Sequence, residues 1–391
     1  MSDTSAVVTT GMEAAFSKKE LDERILRARS ALNDRGIDIM LVTGPENIYY
    51  LTGQQTPGYY TYQALLLPVD FEPVFIVRQL EFNNLVANSY LEKIHPYMDN
   101  ADPVQVTVDL IRELGWQNHK IAIDERGWFF PIAIYKALVS ELGDLGNAAG
   151  VIEGLRAIKS ASELEKLRIS ASYVDEGMKA GLAAVAIGAS ENDIVSEMMG
   201  KAIKAGSEYV GMEPLMASGP RCGIPHGTWR RRVIQDNDPV FLEMAASHDR
   251  YHASLMRSSW IGQPTDTAHR MMDCILEGLQ ASLDTLKPGK TCAEVHDACQ
   301  AIIDRYGYTE NFKKRTGYSV GISFAPDWGE GNVLSLFTGI DRVVEPGMAF
   351  HIPPALRIYG EFTVGVSETA IVTESGCETL SNIPRDLTIV K

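Results

Sequence analysis

Apolar positions in the first third of the chain form short runs of strand character. They lie at Asp38 to Thr43, Gln63 to Val69, Pro73 to Arg78 and Lys120 to Asp124. Stretches with helical spacing, such as Val104 to Leu114 and Ile132 to Leu142, separate them, so this part is predicted to be α/β. Ser17-Lys-Lys-Glu20 has the form of a capping box, which predicts a helix to about Arg35 with Gly36 placed to end it. Near Gly150 the pattern changes. A long helical stretch runs to about Ala186, Ser190 opens another to about Ala205, and helices at Asp266 to Leu286 and Ala293 to Tyr306 alternate with strand-rich segments. The change predicts a mobile tail over 1–16, a first domain over 17–155 and a second over 156–391.

The stretch from Met216 to Trp260 predicts a Gly/Pro-bounded loop carrying His226, then two strands joined by a turn at His248-Asp249-Arg250. Glu243 lies inside the mostly apolar run Val240 to Ala246. A carboxylate buried there needs a hydrogen-bond or charge partner, since an unpaired buried charge is very costly. Residues 51 to 63 carry three tyrosines in a Gly/Pro-rich loop that serves either packing or recognition.

Composition narrows the classes. The 391 residues carry a formal charge of -15, which argues against nucleic acid or an anionic membrane as partner, and no apolar run approaches a membrane span. Cys222, Cys274, Cys292, Cys299 and Cys377 are scattered and odd in number, as expected of buried thiols in a reducing compartment. The first fifteen residues lack a basic n-region, so a cytoplasmic location is expected.

Several motifs resemble the creatinase/aminopeptidase (peptidase M24, "pita-bread") family. They are R-x-x-K-S-x-x-E at Arg156 to Glu163, the segment Ser218 to His226, the strand pair around Glu243, T-G-Y-S-V-G at Thr316, E-P-G-M at Glu345 and S-E-T-A-I-V-T at Ser367. The resemblance implies an α/β (α+β) protein, with a creatinase-like α/β domain followed by a pita-bread domain, and a homodimer. Peptidases of the family hold two divalent ions with two aspartates, a histidine and two glutamates. Those positions fall here on Glu243, Ser254, Tyr318, Pro353 and Ser367, so no metal is expected. The catalytic glutamates of creatinase fall on Met256 and Pro353. The stretches SGPRCGIPH, LEMAASHDRYHASLMR, TGYSVGISFAPDWGEG, PGMAFHIPP and VSETAIVTESG are similar to the family's ectoine-hydrolysing branch. That implies a metal-independent, cofactor-free hydrolase opening a small cyclic amidine, ectoine or 5-hydroxyectoine, to N-acetyl-2,4-diaminobutyrate.

Such a reaction needs an electrophilic carbon, a base that delivers water and an acid for the departing nitrogen. A protonated amidine supplies the carbon. Glu243 and Glu368 are the candidate carboxylates, with Glu243 as base or nucleophile. His226 would shuttle a proton, and Tyr318 and His351 would donate to the intermediate or hold the carboxylates. The carboxylate of a small zwitterionic substrate would be met by Arg221 and Arg257, with Arg230 to Arg232 a solvated face. His252, Tyr60 and Trp328 complete the candidate binding set. Three alternatives stand beside this: a metal-free hydrolase of another small amidine, guanidino or amide zwitterion; an Xaa-Pro-peptidase-like binding module that has lost its metals; and a metallopeptidase.

Overall fold

The computed structural model describes residues 9–127 and 129–391. The chain divides into two compact units, Met1–Arg156 and Ala157–Lys391.

In the first unit the elements are α1 (Lys18–Asp34), β1 (Ile39–Val42), α2 (Pro45–Thr52), β2 (Ala64–Pro68), β3 (Val74–Arg78), α3 (Phe82–Asn88), β4 (Lys93–Tyr97), α4 (Pro103–Glu113), β5 (Ile121–Ile123), α5 (Ile132–Leu142), β6 (Gly146–Asn147) and α6 (Val151–Arg156). The strands form one mixed sheet in the order β4-β3-β2-β1-β5-β6. Continuous apolar runs suit β1 and β2, which are buried along their whole length. Ser17 accepts from the Glu20 N–H as the N-cap of α1, and the Glu20 carboxylate pairs with buried Arg24 at 2.7 Å.

Two expectations change in this unit. Of the segment read as a mobile tail, residues 1–8 lie outside the described residues, but the remainder is docked. Gly11 and Glu13 donate to the carbonyls of Val86 and Ala87 at 2.9 Å, and Phe16 is buried beneath the Arg24 guanidinium. The tyrosine-rich stretch is partly helical, because Pro45 opens α2 and Gly53, at φ 80, closes it. Its tyrosines divide between packing and exposure. Tyr62 donates to Thr107 within the unit, whereas Tyr60 is 77% exposed.

The second unit contains α7 (Ala161–Ala184), α8 (Glu191–Ala205), β7 (Leu215–Ser218), β8 (Pro239–His248), β9 (Tyr251–Ile261), α9 (Asp266–Thr285), α10 (Cys292–Tyr306), β10 (Gly317–Ser319), β11 (Ser335–Leu336), β12 (Ala349–Ile352), β13 (Ala355–Ile358), β14 (Phe362–Gly365), β15 (Glu368–Val372), β16 (Cys377–Thr379) and β17 (Thr388–Val390). Full capping boxes start α7 (Ser160 with Glu163), α8 (Ser190 with Asp193) and α10 (Thr291 with Glu294). One sheet has the order β17-β9-β8-β7, a second has the order β11-β10-β12-β15-β16, and β13 and β14 form a hairpin.

Helices cover one face of each sheet. Leu242, Met244, Ala246 and Leu255 pack under α7 and α8, where Gly177 lies so close to the sheet that a Cβ would come 2.7 Å from Met244 Cε. Phe350, Ile352, Ala370 and Val372 pack under α9 and α10. Because strand side chains alternate, the opposite faces carry Glu243 on one sheet and Tyr318 and His351 on the other. Side chains from the second sheet's β15 region tie the two together: Ser254 N–H donates to Thr369 Oγ1 at 3.0 Å and Met256 N–H to Ser367 Oγ at 2.7 Å. The β8–β9 turn is a two-residue loop in which Asp249 (φ 48) and Arg250 (φ 64) are both left-handed, the type I′ geometry that matches strand twist.

Candidate active site

Glu243 pairs across the ladder with Leu215 on β7 and Met256 on β9, among apolar neighbours. Burial pushes its carboxyl up to about 7, against the pull of Lys314 and then Arg357. Lys314 is in turn pushed down to about 8 by burial and by Arg357, with Glu243 opposing. Yet neither cation closes onto Glu243 in an ion pair. Glu243, Lys314, Arg315, Tyr318 and Arg357 all keep partial exposure among buried neighbours.

A hydrogen-bonded chain lies beside it. Trp328, 1% exposed, donates Nε1–H to Tyr318 Oη at 2.9 Å; Tyr318 Oη lies 2.9 Å from His351 Nδ1; His351 Nε2 lies 2.8 Å from Ser367 Oγ. An indole can only donate, so the Tyr318 hydroxyl accepts from Trp328, and the direction of its bond to His351 follows the imidazole tautomer. Burial, reinforced by Lys314 and Arg257, pushes His351 down to about 3, so it is neutral near pH 7. The Arg315 guanidinium lies 4.5 Å over the Tyr318 ring and bonds Ser335, which packs the ring in place.

His226 is exposed, at φ 54, in the loop after β7. A Cβ on its neighbour Gly227 would lie 3.4 Å from Ala217 Cβ, and Ala217 pairs with Phe241 on the Glu243 face. The loop is also seated on the β13–β14 hairpin, where Thr363 donates to the Cys222 carbonyl. The loop of His226, the strand of Glu243 and the hairpin of Arg357 thus share one neighbourhood, around the apolar cluster Ala217, Cys222, Phe241, Met256 and Ala355.

Four other expected residues are engaged elsewhere. Glu368 shares its face of β15 with Ala370 and Val372, turned toward α9 and α10, and its Oε1 is held by Arg257 and Arg385 at 3.0 Å each. Arg257 pairs with Leu242, on the face of the β8–β9 ladder opposite Glu243, and all five of its N–H groups are used: by Glu368 and by the carbonyls of Met256, Ser367, Ile383 and Pro384. Arg221 chelates the buried Glu191 carboxylate, fastening the His226 loop to the start of α8. His252 accepts from Gly211 N–H at 3.0 Å and donates Nδ1–H to the Arg250 carbonyl at 2.8 Å, a satisfied neutral core histidine pushed down to about 3 by burial. Within the triplet read as a solvated face, Arg232 is instead clamped bidentately to Asp238. Tyr60 belongs to the first unit. Lys314, Arg315 and Arg357 were not in the expected set; a lysine pair before an arginine reads as solvated charge until the fold turns it inward.

The five positions that hold two dications in the family's peptidases do not offer a dication donor set here. Glu243 is the one carboxylate. Ser254 Oγ is buried without a partner among the described residues, Ser367 Oγ is held between His351 and the Met256 N–H, and the Tyr318 hydroxyl is held between Trp328 and His351. Pro353 has no side-chain donor, and its carbonyl accepts from Lys314 Nζ at 2.7 Å. Among the described residues no group of three or more His, Cys, Asp or Glu could hold a metal ion.

Two family models account for the chain. Residues 24–158 match the creatinase/prolidase N-terminal domain and residues 165–374 match metallopeptidase family M24, so the chain belongs to the M24 family of hydrolases. Within that family it is similar to an ectoine hydrolase from Halomonas elongata, 29% identical over 95% of this chain and 98% of that protein. It is also similar to an Xaa-Pro dipeptidase from Lactobacillus helveticus, 26% identical over 92% of this chain and 96% of the relative. Of solved structures, an Xaa-Pro dipeptidase from Bacillus anthracis superposes with a TM-score of 0.83 at 26% identity, covering 95% of this chain and 100% of that one. A prolidase from Thermococcus sibiricus gives a TM-score of 0.86 at 23% identity over 96% and 100% of the two chains, a likeness of fold alone. The architecture is the pita-bread fold with a creatinase-type first unit, as the motifs imply. Among the described residues no helix is long and apolar enough to cross a membrane.

Proposed function

We propose that this chain is a metal-independent hydrolase that opens a small zwitterionic cyclic amidine, ectoine or 5-hydroxyectoine, to an N-acetyl-2,4-diaminobutyrate. The observation that supports the reading is one part-exposed carboxylate, Glu243, without an ion-pair partner among the described residues and with the cations Lys314 and Arg357 in electrostatic range. A site that keeps one acid among apolar walls suits a substrate bringing its own positive, electrophilic carbon. Similarity to an ectoine hydrolase along nearly the whole of both chains supports the same class.

In this reading the amidinium lies against Glu243 and holds it ionised. Glu243 either takes a proton from the attacking water or adds to the carbon itself and is released by water. Both routes balance: one water is consumed, one ring C–N bond breaks, the water oxygen becomes the amide carbonyl, and the departing nitrogen leaves as a protonated amine. His226, on the adjoining loop, relays the proton to that nitrogen. Tyr318 and His351, bonded to each other, hold the wall of the site rather than titrate.

The test is to treat the protein with chelator, verify metal removal by elemental analysis, add ectoine and follow ring opening by NMR. Ring opening at an undiminished rate is expected. No ring opening of ectoine or other cyclic amidines, or activity restored only by manganese, zinc or cobalt, would overturn the reading.

A further inference from the structure

We propose that Lys314 and Arg357 form the seat of the substrate's carboxylate, so that the site selects cyclic amidines bearing a carboxylate over those without one. This rests on the reading of Glu243 as the partner of the amidinium.

The argument starts from which donors are uncommitted. Arg221 and Arg257, the cations that the sequence offers most readily, spend their charge on Glu191 and Glu368. Lys314 commits one of its three N–H groups, to the Pro353 carbonyl, just beyond β12. Arg357 commits only Nε–H, to Thr363 Oγ1 at 3.4 Å, which leaves the four Nη hydrogens of its planar fork without a partner among the described residues. Both side chains are part-exposed, so those hydrogens can meet a ligand.

Their position follows from register. Arg357 shares a face of β13 with Ala355, two residues earlier. Ala355 packs with Met256 and Phe241, and Met256 is the cross-strand partner of Glu243. The Ala355–Gly365 pair sits so tightly on Met256 that a Cβ at Gly365 would come 2.9 Å from its Sδ. The hairpin is therefore anchored beside Glu243, with the free fork of Arg357 on the anchored face.

Charge pairing gives the ligand. Both cations act on Glu243 electrostatically, yet neither closes onto it in an ion pair. A zwitterion satisfies both signs at once, its amidinium against Glu243 and its carboxylate against the fork and the ammonium. A guanidinium with free Nη hydrogens takes a carboxylate bidentately, the geometry in which arginine discriminates most sharply.

The experiment compares ectoine with its decarboxylated analogue, 2-methyl-1,4,5,6-tetrahydropyrimidine, in the wild type, Arg357→Gln and Lys314→Gln, reading kcat/KM by NMR. The wild type should prefer ectoine by about a hundredfold, and each substitution should cut that ratio by about tenfold, as expected for loss of one charge-assisted contact. If either variant fails to fold by circular dichroism, the other carries the test. A wild type indifferent to the carboxylate, or a ratio that survives substitution, overturns the seat while leaving the hydrolase reading intact. If the wild type opens neither compound, calorimetric titration of the same set reads the seat directly: carboxylate-dependent binding lost in the variants keeps the seat and removes the hydrolase reading, and its absence removes both.

Discussion

Arg257 donates Nη2–H to Oε1 of Glu368 across 3.0 Å, and each side chain is 1% exposed. Both belong to segments that carry the family's motifs, yet their pair faces away from Glu243. Its role is to bind β9 to β15 and to the carbonyls of Ile383 and Pro384.

Removing one member of such a pair strands the other charge. Glu368→Gln is expected to lose on the order of 3 kcal/mol of stability while the folded fraction keeps most of its turnover. Urea unfolding with kcat measured on the folded protein checks this. Lost turnover at undiminished stability would move Glu368 into the chemistry.

Glu243→Gln should abolish ring opening and leave the fold intact. Its effect on stability has a definite sign. The folded carboxyl titrates near 7, above its ordinary 4.5, so the folded state holds the proton more tightly. Wild-type stability is therefore full below about pH 4.5 and declines toward pH 7, by about 1–3 kcal/mol, whereas the glutamine variant lacks this decline. Denaturation midpoints at pH 5 and pH 8 decide it: parallel behaviour of the two proteins would mean Glu243 is not held in a desolvated site.

The pH profile of kcat/KM should be narrow. Activity should rise as Glu243 ionises through about 7 and fall as Lys314 loses its proton through about 8. Lys314→Gln should lower the plateau and remove the alkaline fall. His351, neutral down to about pH 3, contributes no step between them.

Tyr318→Phe removes the hydroxyl that accepts from Trp328 and bonds His351 Nδ1. Leaving a buried indole N–H and an imidazole nitrogen without partners should cost about 1–3 kcal/mol, read as a lowered Tm. His351→Ala in the Tyr318→Phe background should cost less than in the wild type, since the shared bond is already gone.

His226 occupies φ 54, where alanine would add backbone strain to the loss of the imidazole. Asparagine tolerates that conformation, so His226→Asn isolates the chemistry. Slower turnover with an altered pH profile and unchanged Tm is expected; an unchanged profile would make His226 a spectator.

Periodicity and local chemistry made most elements legible. The capping residues at Ser17, Ser160 and Ser190 start helices because they satisfy orphan N–H groups, a matter of a few adjacent residues. The β8–β9 hairpin and the place of Glu243 on its inner run were likewise readable from the residues. Helix α2 was not, because its eight residues are buried nearly all round and show no polar face.

What only the tertiary structure decided is which charges meet. Glu243 and Arg257 lie on neighbouring strands and look equally available in the sequence, but the ladder pairs Arg257 with Leu242, and alternation sends the two to opposite faces. Glu368 and Ser367 are adjacent, yet one closes an ion pair with Arg257 and the other bonds His351. Lys314 and Arg357 are distant in sequence from Glu243 and carry no motif; register and the seating of a hairpin on Met256 bring them to it. Local sequence sets capping, period and turn type through near-neighbour physics. Partner choice among buried charges depends on long-range pairing, and no short window of the chain contains it.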